Sequence, residues 1–395
     1  MMQDKVVIVA AQRTSIGSFM GQFSNVSAPQ LGASVIKALV QKHAAVLTSD
    51  MIDEVIMGCV LPAGMGQAPA RQATLYAGLP VSVGALTINK VCGSGLKAVM
   101  LGTDLLHANS AQIIIAGGME SMSQAPYILP KGRQGLRMGH GKVLDHMFVD
   151  GLENAYDGKA MGCFAQTKAD ELGMTRLGMD EFALASLAKA QAAIASGAFK
   201  EEITSVIISS KQGEERVTID ESPLNAKPNK IPHLNPAFSV DGTITAANSS
   251  SISDGAAAVL LMTQSKADAL AITPLAEVVA HASVALTPEA FTIAPIYAIE
   301  ALLEKTQWQI ADVDLFEINE AFAMVTMACV NELKIPVDKV NIHGGACALG
   351  HPIGASGARI LVTLIHALRL QGKSKGIACL CIGGGEAVAV AIQVG

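Results

Sequence analysis

Ser94-Gly95 opens a helical pattern that runs into Ile113-Ile114-Ile115-Ala116-Gly117-Gly118-Met119-Glu120, and the same order of signals returns near the C-terminus. There Ser356-Gly357 opens a helical pattern that runs into Ile377-Ala378-Cys379-Leu380-Cys381-Ile382-Gly383-Gly384-Gly385-Glu386. Both units read Ser-Gly, helix, strand, Gly-Gly, Glu. Each lies beside a side chain able to do chemistry, Cys92 in the first and His351 in the second. We read the echo as a duplication whose two ends face one cleft.

Outward from the first unit, residues 6–9, 54–58 and 113–116 are short β-branched runs ending near small residues, the pattern of buried parallel strands. Helical periodicity lies between them at 30–43 and 96–107. Strands alternating with helices give an α/β layered fold. The middle departs from that alternation. From about Ser121 to Ala247 it carries Pro126, Pro130, a basic Gly-rich stretch at 131–142, an Ala-rich helix at 180–196 and a Pro/Asn/Lys segment at 222–236. Such a segment reads as an insertion supplying substrate-binding loops to a rigid scaffold. Alternation resumes after Asp254-Gly255-Ala256-Ala257-Ala258-Val259. The expected organisation is a first half of residues 1–120 with 248–272, an inserted loop domain at 121–247, and a second half at 273–395.

Composition narrows the function. The 395 residues are 50% hydrophobic and 16% charged, enough to bury a large core without disordered tracts. A net charge of −6 gives no basic footprint for nucleic acid. Seven cysteines, an odd number in a long chain, do not read as a secreted disulfide framework. The opening run Met1-Met2-Gln3-Asp4-Lys5-Val6-Val7-Ile8-Val9-Ala10-Ala11 is strand-like, without the features of a signal or transit peptide. Apolar stretches such as 377–391 are too short and too interrupted to span a bilayer. A reduced, cytoplasmic enzyme with no membrane partner is expected.

Cys92 lies in Asn89-Lys90-Val91-Cys92-Gly93-Ser94-Gly95-Leu96-Lys97, between a strand-like run at 85–88 and a helix. That is the setting of a strand–turn–helix nucleophile elbow. Free amides and the dipole at a helix start are expected to favour its thiolate. His351 sits in Gly344-Gly345-Ala346-Cys347-Ala348-Leu349-Gly350-His351-Pro352-Ile353-Gly354-Ala355-Ser356-Gly357, a backbone with too many glycines for a regular element and thus one that wraps closely around something. At a helix start its cationic form is disfavoured, leaving a neutral ring to act as base or donor. Cys381 precedes Gly383-Gly384-Gly385, whose amides suit an oxyanion hole, while its thiol suits acid–base work. Cys379 is assigned to the opposite strand face and to the core, and a Cys379/Cys381 metal site is rejected; no metal ligand set is expected. Asn319, in Asn319-Glu320-Ala321-Phe322-Ala323 after the strand-like run 315–318, either caps a helix or holds a catalytic water.

Taken together, these segments resemble the thiolase family from Val6 to the C-terminus. The resemblance rests on five ordered motifs: 89–95, Ala116-Gly117-Gly118-Met119-Glu120-Ser121-Met122-Ser123, 319–323, 350–357 and 381–385. It implies a five-layered α-β-α-β-α fold of two duplicated halves, with a loop domain reaching over the cleft. It also implies coenzyme A thioesters as substrates, no tightly bound cofactor, and a homodimer or homotetramer. In the implied reaction His351 deprotonates Cys92, an acyl-Cys92 forms, and Cys381 removes an α-proton from a second acetyl-CoA. His351 with a water on Asn319 makes one oxyanion hole, and the amides of Cys92 and Gly383 make the other. Ser250, Met161, Ala321 and Phe322 are the implied coenzyme A contacts. The chain departs from the family pattern at Ala160, Leu224, Ser251, Ser253, His343 and Glu386-Ala387, none of them a chemical residue. Lys131, Arg133, Arg137, Lys227 and Lys230 are candidate partners for the coenzyme A phosphates. The rival readings are a ketoacyl-synthase-type condensing enzyme and a catalytically inactive acyl-CoA or lipid-binding protein of the same fold.

Overall fold

A computed structural model describes residues 4–210 and 213–395, so Met1, Met2 and Gln3 of the opening run lie outside the described residues. The first half contributes strands β1 (Val6–Arg13), β2 (Glu54–Gly58), β3 (Gly84–Ile88), β4 (Ile113–Ser121) and β5 (Ser253–Thr263). The second contributes β6 (Ala276–Ala285), β7 (Leu315–Ile318), β8 (Lys375–Ile382) and β9 (Glu386–Gln393). They join in one sheet in the order β7-β8-β9-β6-β1-β5-β4-β2-β3, and the short strand Gly17–Ser18, beside β5, completes ten. Within the sheet the halves join where β1 pairs with β6, through Val7 opposite Glu277 and Ile8 opposite Ala276.

Strand direction corrects the sequence reading in part. β2 runs parallel to β3 and β4, and β7 parallel to β8. β1 is antiparallel to both its neighbours. Every residue of β1 is buried. A continuous apolar run reports burial of both faces, and that burial is met here without parallel pairing.

Helices cover the sheet in layers. In chain order they are α1 (Ala28–Lys42), α2 (Pro69–Tyr76), α3 (Ser94–His107), α4 (Met161–Glu171), α5 (Arg176–Ser196), α6 (Ala294–Thr306), α7 (Ala323–Leu333) and α8 (Ser356–Gln371). Leu31, Val35 and Ile36 of α1 and Ala70 and Ala73 of α2 pack on the outer face of the first half, against Val55, Ile113 and Ile115. Ile299 and Leu302 of α6, with Cys329 of α7, pack on the outer face of the second half, against Phe316 and Ala389. Between the halves lies the central core, where Val99 of α3 and Ile360 and Leu364 of α8 meet Ile114 and Leu380. Outer helices, sheet, central helices, sheet and outer helices make the five layers.

The Ser-Gly echo has a packing cause. A Cβ on Gly95 would stand 2.8 Å from the Ala358 backbone nitrogen, and one on Gly357 would stand 2.5 Å from that of Leu96. The two central helices therefore start backbone to backbone, which only glycine permits. That crossing brings the loops before α3 and α8 together, and those loops carry Cys92 and His351.

The segment between β4 and β5 holds α4, α5 and two small hairpins, Tyr127–Ile128 with Leu144–Asp145 and Val206–Ser210 with Gly213–Val217. Among the described residues no helix is long and apolar enough to cross a membrane.

Candidate active site

Cys92, His351, Cys381 and Gly383 line one cavity of about 600 Å³. Each comes from a loop or strand end that faces the insertion. Cys92 sits between β3 and α3, partly buried, with Gly93 capping the helix. His351 follows a four-residue helical turn, Ala346–Leu349, and its N–H donates to the Ser251 carbonyl at 3.0 Å. Cys381 is buried at the end of β8, and Gly383 begins the turn into β9.

The electrostatics reverse one expectation. Burial pushes the Cys92 thiol up to about 11, although the amides of Gly383 and of Cys92 itself act on the sulfur and draw it back. The helix start therefore does not yield a resting thiolate. Desolvation outweighs the local amides. His351 is neutral as expected, but for a different reason: burial, with Arg359 second, pulls its imidazole down to about 4. Burial also holds the Cys381 thiol well above the usual cysteine value, with Cys92 and Cys329 adding to the rise. The resting site is a neutral thiol beside a neutral imidazole.

The tautomer of His351 follows from a residue read in the sequence only as a helix opener. Ser356 Oγ lies 2.9 Å from the Pro352 carbonyl and 2.5 Å from His351 Nδ1. The carbonyl takes the single hydroxyl proton, so Ser356 accepts from His351 Nδ1–H. That leaves Nε2 with its lone pair, and Nε2 is buried without a partner among the described residues. His351 is thus set up as a base.

The glycine-rich loop does wrap closely around something, but the something is the protein's own acids. Glu120, at the end of β4, accepts from the amides of Gly354 at 2.8 Å, Val60 at 2.9 Å and Leu61 at 3.2 Å. Glu320 accepts from the Cys347 amide at 3.1 Å and from Ser186 at 2.7 Å. Burial raises the Glu120 carboxyl to about 7 against the pull of those amides.

Asn319 is not on the cavity wall. It directly follows β7, fully buried, and its Oδ1 and Nδ2 have no partner among the described residues. The helix after it begins at Ala323 with Phe322 as its cap, so the capping role is excluded. Buried amide atoms without partners are costly and suit a bound water. Ser250, Met161, Ala321 and Phe322 do line the cavity, and Ser250 Oγ donates to the Ala321 carbonyl at 3.0 Å.

One further sequence reading needs correction. Residues two apart on a strand share a face, so Cys379 and Cys381 lie on the same side of β8. Cys379 is core, packed in the outer layer with its thiol donating to Pro295 O at 3.7 Å. Cys381 is one step further along, where that layer gives way to the cavity. Among the described residues no cluster of three or more His, Cys, Asp or Glu is placed to hold a metal. The candidate phosphate partners Lys131, Arg133, Arg137, Lys227 and Lys230 are not on the wall either. Of the departures, Ala160 and Ser251 line the cavity, while Leu224 is exposed away from it and His343 packs edge-on against Phe199. The sequence reading missed Phe148, Phe238, Phe291 and Ile353, which make the wall apolar. Nothing in their local spacing separates them from core residues.

A cavity shared by two duplicated α/β halves, with a cysteine and a basic histidine at its floor, defines an acyl-transfer enzyme. Residues 6–265 match the model of the thiolase N-terminal domain and residues 272–394 that of the thiolase C-terminal domain. The chain is 49% identical over 393 residues to an acetyl-CoA acetyltransferase of Pseudomonas aeruginosa, covering 99% of each. It is 49% identical over 389 residues to an acetyl-CoA acetyltransferase of Escherichia coli, covering 98% of each. The crystal structure of the Bacillus anthracis acetyl-CoA acetyltransferase superposes with a TM-score of 0.96 at 38% identity, covering 99% of both chains. The chain belongs to the thiolase family. It is an acyltransferase of the thiolase type, rather than a ketoacyl-synthase-type enzyme or an inactive binding protein.

Proposed function

We propose that the protein condenses two molecules of acetyl-CoA to acetoacetyl-CoA and runs the reverse thiolysis of 3-ketoacyl-CoA, through an acyl-Cys92 intermediate. The observation that carries this reading is the meeting of Cys92, His351, Cys381 and Gly383, drawn from both halves, on one apolar cavity. His351 Nε2 takes the Cys92 proton as the sulfur attacks the thioester carbonyl. The imidazolium returns that proton to the departing coenzyme A sulfur, leaving acetyl-Cys92. Cys381, as thiolate, then takes an α-proton from the second acetyl-CoA. The enolate carbon attacks the acetyl carbonyl, the C–S bond to Cys92 breaks, the Cys92 sulfur takes up the proton held by Cys381, and acetoacetyl-CoA leaves. Burial makes the Cys381 thiolate scarce and correspondingly strong as a base.

In this reading the Cys92 and Gly383 amides stabilise the oxyanion formed on the acyl-cysteine, consistent with their action on the Cys92 sulfur. His351 and a water on Asn319 serve the enolate oxygen. Ser250, Met161, Ala321 and Phe322 contact coenzyme A, which is a substrate and not a tightly bound cofactor. Residues 1–120 with 248–272 form the nucleophile half, 121–247 the loop domain, and 273–395 the half bearing His351 and Cys381. The protein works in the cytoplasm, a reading supported by seven free thiols. It assembles as a homodimer or homotetramer, supported by exposed Leu86 on edge strand β3 and exposed Leu136 and Met138 in the loop of a small hairpin.

Mass spectrometry after mixing with acetoacetyl-CoA tests the proposal. A single acetyl group on Cys92 is expected, with release of acetyl-CoA on adding coenzyme A. An unmodified Cys92 alongside undiminished turnover would overturn it.

A further inference from the structure

The loop that carries Cys92 holds strain. Val91 has φ of +47°, a left-handed conformation that β-branched side chains avoid. Local bonds close the loop on itself: Asn89 Oδ1 accepts from the Val91 amide at 2.9 Å, and Ser94 Oγ donates to the Val91 carbonyl at 2.7 Å while accepting from the Lys90 amide at 2.8 Å. None of these bonds fixes the loop relative to the second half. Yet the amide of Gly383, which acts on the Cys92 sulfur, belongs to that half.

Three neighbouring contacts join the two pieces. Gly93 lies against Ile382, where a Cβ on the glycine would stand 2.4 Å from Ile382 Cδ1. Val91 Cγ1 would be 3.7 Å from a Cβ on Gly383. Beside them Lys90 Nζ pairs with Glu386 Oε2, the ion pair linking residues 89–95 to the turn 383–386 among the described residues. The first two contacts are apolar and set a minimum separation. The ion pair is directional and resists both sliding and opening.

We infer that Lys90 and Glu386 are positioning residues, a cross-half clasp that keeps the Gly383 amide in register with Cys92. The inference rests on the proposed acyl-Cys92 chemistry. The two side chains are 24% and 36% exposed, so the pair contributes little to global stability. Its leverage is on rate, because an amide displaced from a developing oxyanion stops stabilising it.

Four variants test the clasp: K90Q, E386Q, the double K90Q/E386Q and the exchanged pair K90E/E386K. Each is measured for kcat and KM in acetoacetyl-CoA thiolysis, for unfolding midpoint, and for acetyl-Cys92 by mass spectrometry. Each single variant is expected to lose about tenfold in kcat with KM and midpoint unchanged. The double variant should be no slower than either single, and the exchanged pair should regain most of the rate. Opposite effects of K90Q and E386Q would assign a field effect on the thiol and overturn the clasp. So would wild-type kcat in all four while Cys92 still becomes acetylated. An unacetylated Cys92 in the wild type would instead overturn the acyl-enzyme reading itself.

Discussion

The two halves solve one topological problem in two ways. In each, a central helix feeds a strand that then pairs antiparallel with the next strand of the sheet, β4 with β5 in the first half and β8 with β9 in the second. In the second half the connection is the tight turn Gly383-Gly384-Gly385. In the first it is the whole segment from Met122 to Ile252, which includes α4 and α5. The insertion thus occupies the place of a hairpin turn, at the same end of the sheet as the turn carrying Gly383. One half keeps the short connection and shapes it around the Cys92 sulfur. The other expands it and walls the cavity with Met161, Phe148 and Phe238.

The first way to break this comparison is to remove one cysteine from each half. Cys92→Ala is expected to drop turnover to background, since it removes the sulfur on which the Cys92 and Gly383 amides act. Cys381→Ala should still form acetyl-Cys92 but lose about 10³-fold or more in condensation. Acid-quenched mass spectrometry beside a condensation assay reads both steps. If Cys381→Ala condenses at the wild-type rate, the halves do not divide the labour as argued.

The paired glycines sharpen it next. Gly117 and Gly118 look like the counterparts of Gly383 and Gly384, yet they stay inside β4. A Cβ on Gly118 would lie 1.9 Å from the Gly354 carbonyl, so here glycine allows backbone to touch backbone. Gly384 has φ of +96° and open space around it, so there glycine permits the turn. Gly118→Ala should cost about 3 kcal/mol or more through overpacking, whereas Gly384→Ala should cost about 1–2 kcal/mol through backbone strain. Urea unfolding of both variants decides; equal losses would mean that the two glycine pairs do the same job.

That contrast also marks what the sequence could carry. Strand and helix positions were legible because apolar periodicity and Ser-Gly starts are local signals: the runs at 54–58 and 315–318 match β2 and β7 residue for residue. The family and the layered fold followed from ordered motifs. Direction was not legible, because β1 buries both faces whichever way its neighbours run. Nor was the Cys92 thiol, whose upward shift comes from burial in the folded site, with the Glu120 charge adding a smaller rise. The face of Cys379 was a plain misreading of strand period. The role of Asn319 as a helix cap looked open until the helix proved to start at Ala323.

Acidity gives a third test, one that bears on the second half alone. A folded His351 that holds a proton only near pH 4, against an ordinary histidine value near 6.5, binds fewer protons than the unfolded chain between those limits. Its contribution to stability is therefore complete above pH 6.5 and is lost as pH falls towards about 4. Activity should fall over the acid end of the same window as Nε2 takes up its proton. Replacing His351 by Asn should flatten the dependence of unfolding midpoint on pH between those limits. A slope unchanged by the substitution would place the responsible group elsewhere.

The smallest effect separates the two serines that open the central helices. Ser94 Oγ and Ser356 Oγ make matching bonds, each donating to a carbonyl of its own loop, Val91 at 2.7 Å and Pro352 at 2.9 Å. What they accept differs. Ser94 accepts a backbone amide, that of Lys90, and Ser356 accepts the imidazole proton of His351. Ser94→Ala should therefore show as lost stability, about 1 kcal/mol for the loop bonds. Ser356→Ala should cost about as much stability and in addition lower the rate of Cys92 acetylation about tenfold, because His351 Nδ1–H loses the acceptor that selects the basic tautomer. Stopped-flow acylation with matched unfolding curves measures both. If the two variants behave alike, the serines are interchangeable helix starts, and the imidazole of His351 takes its tautomer from some other contact.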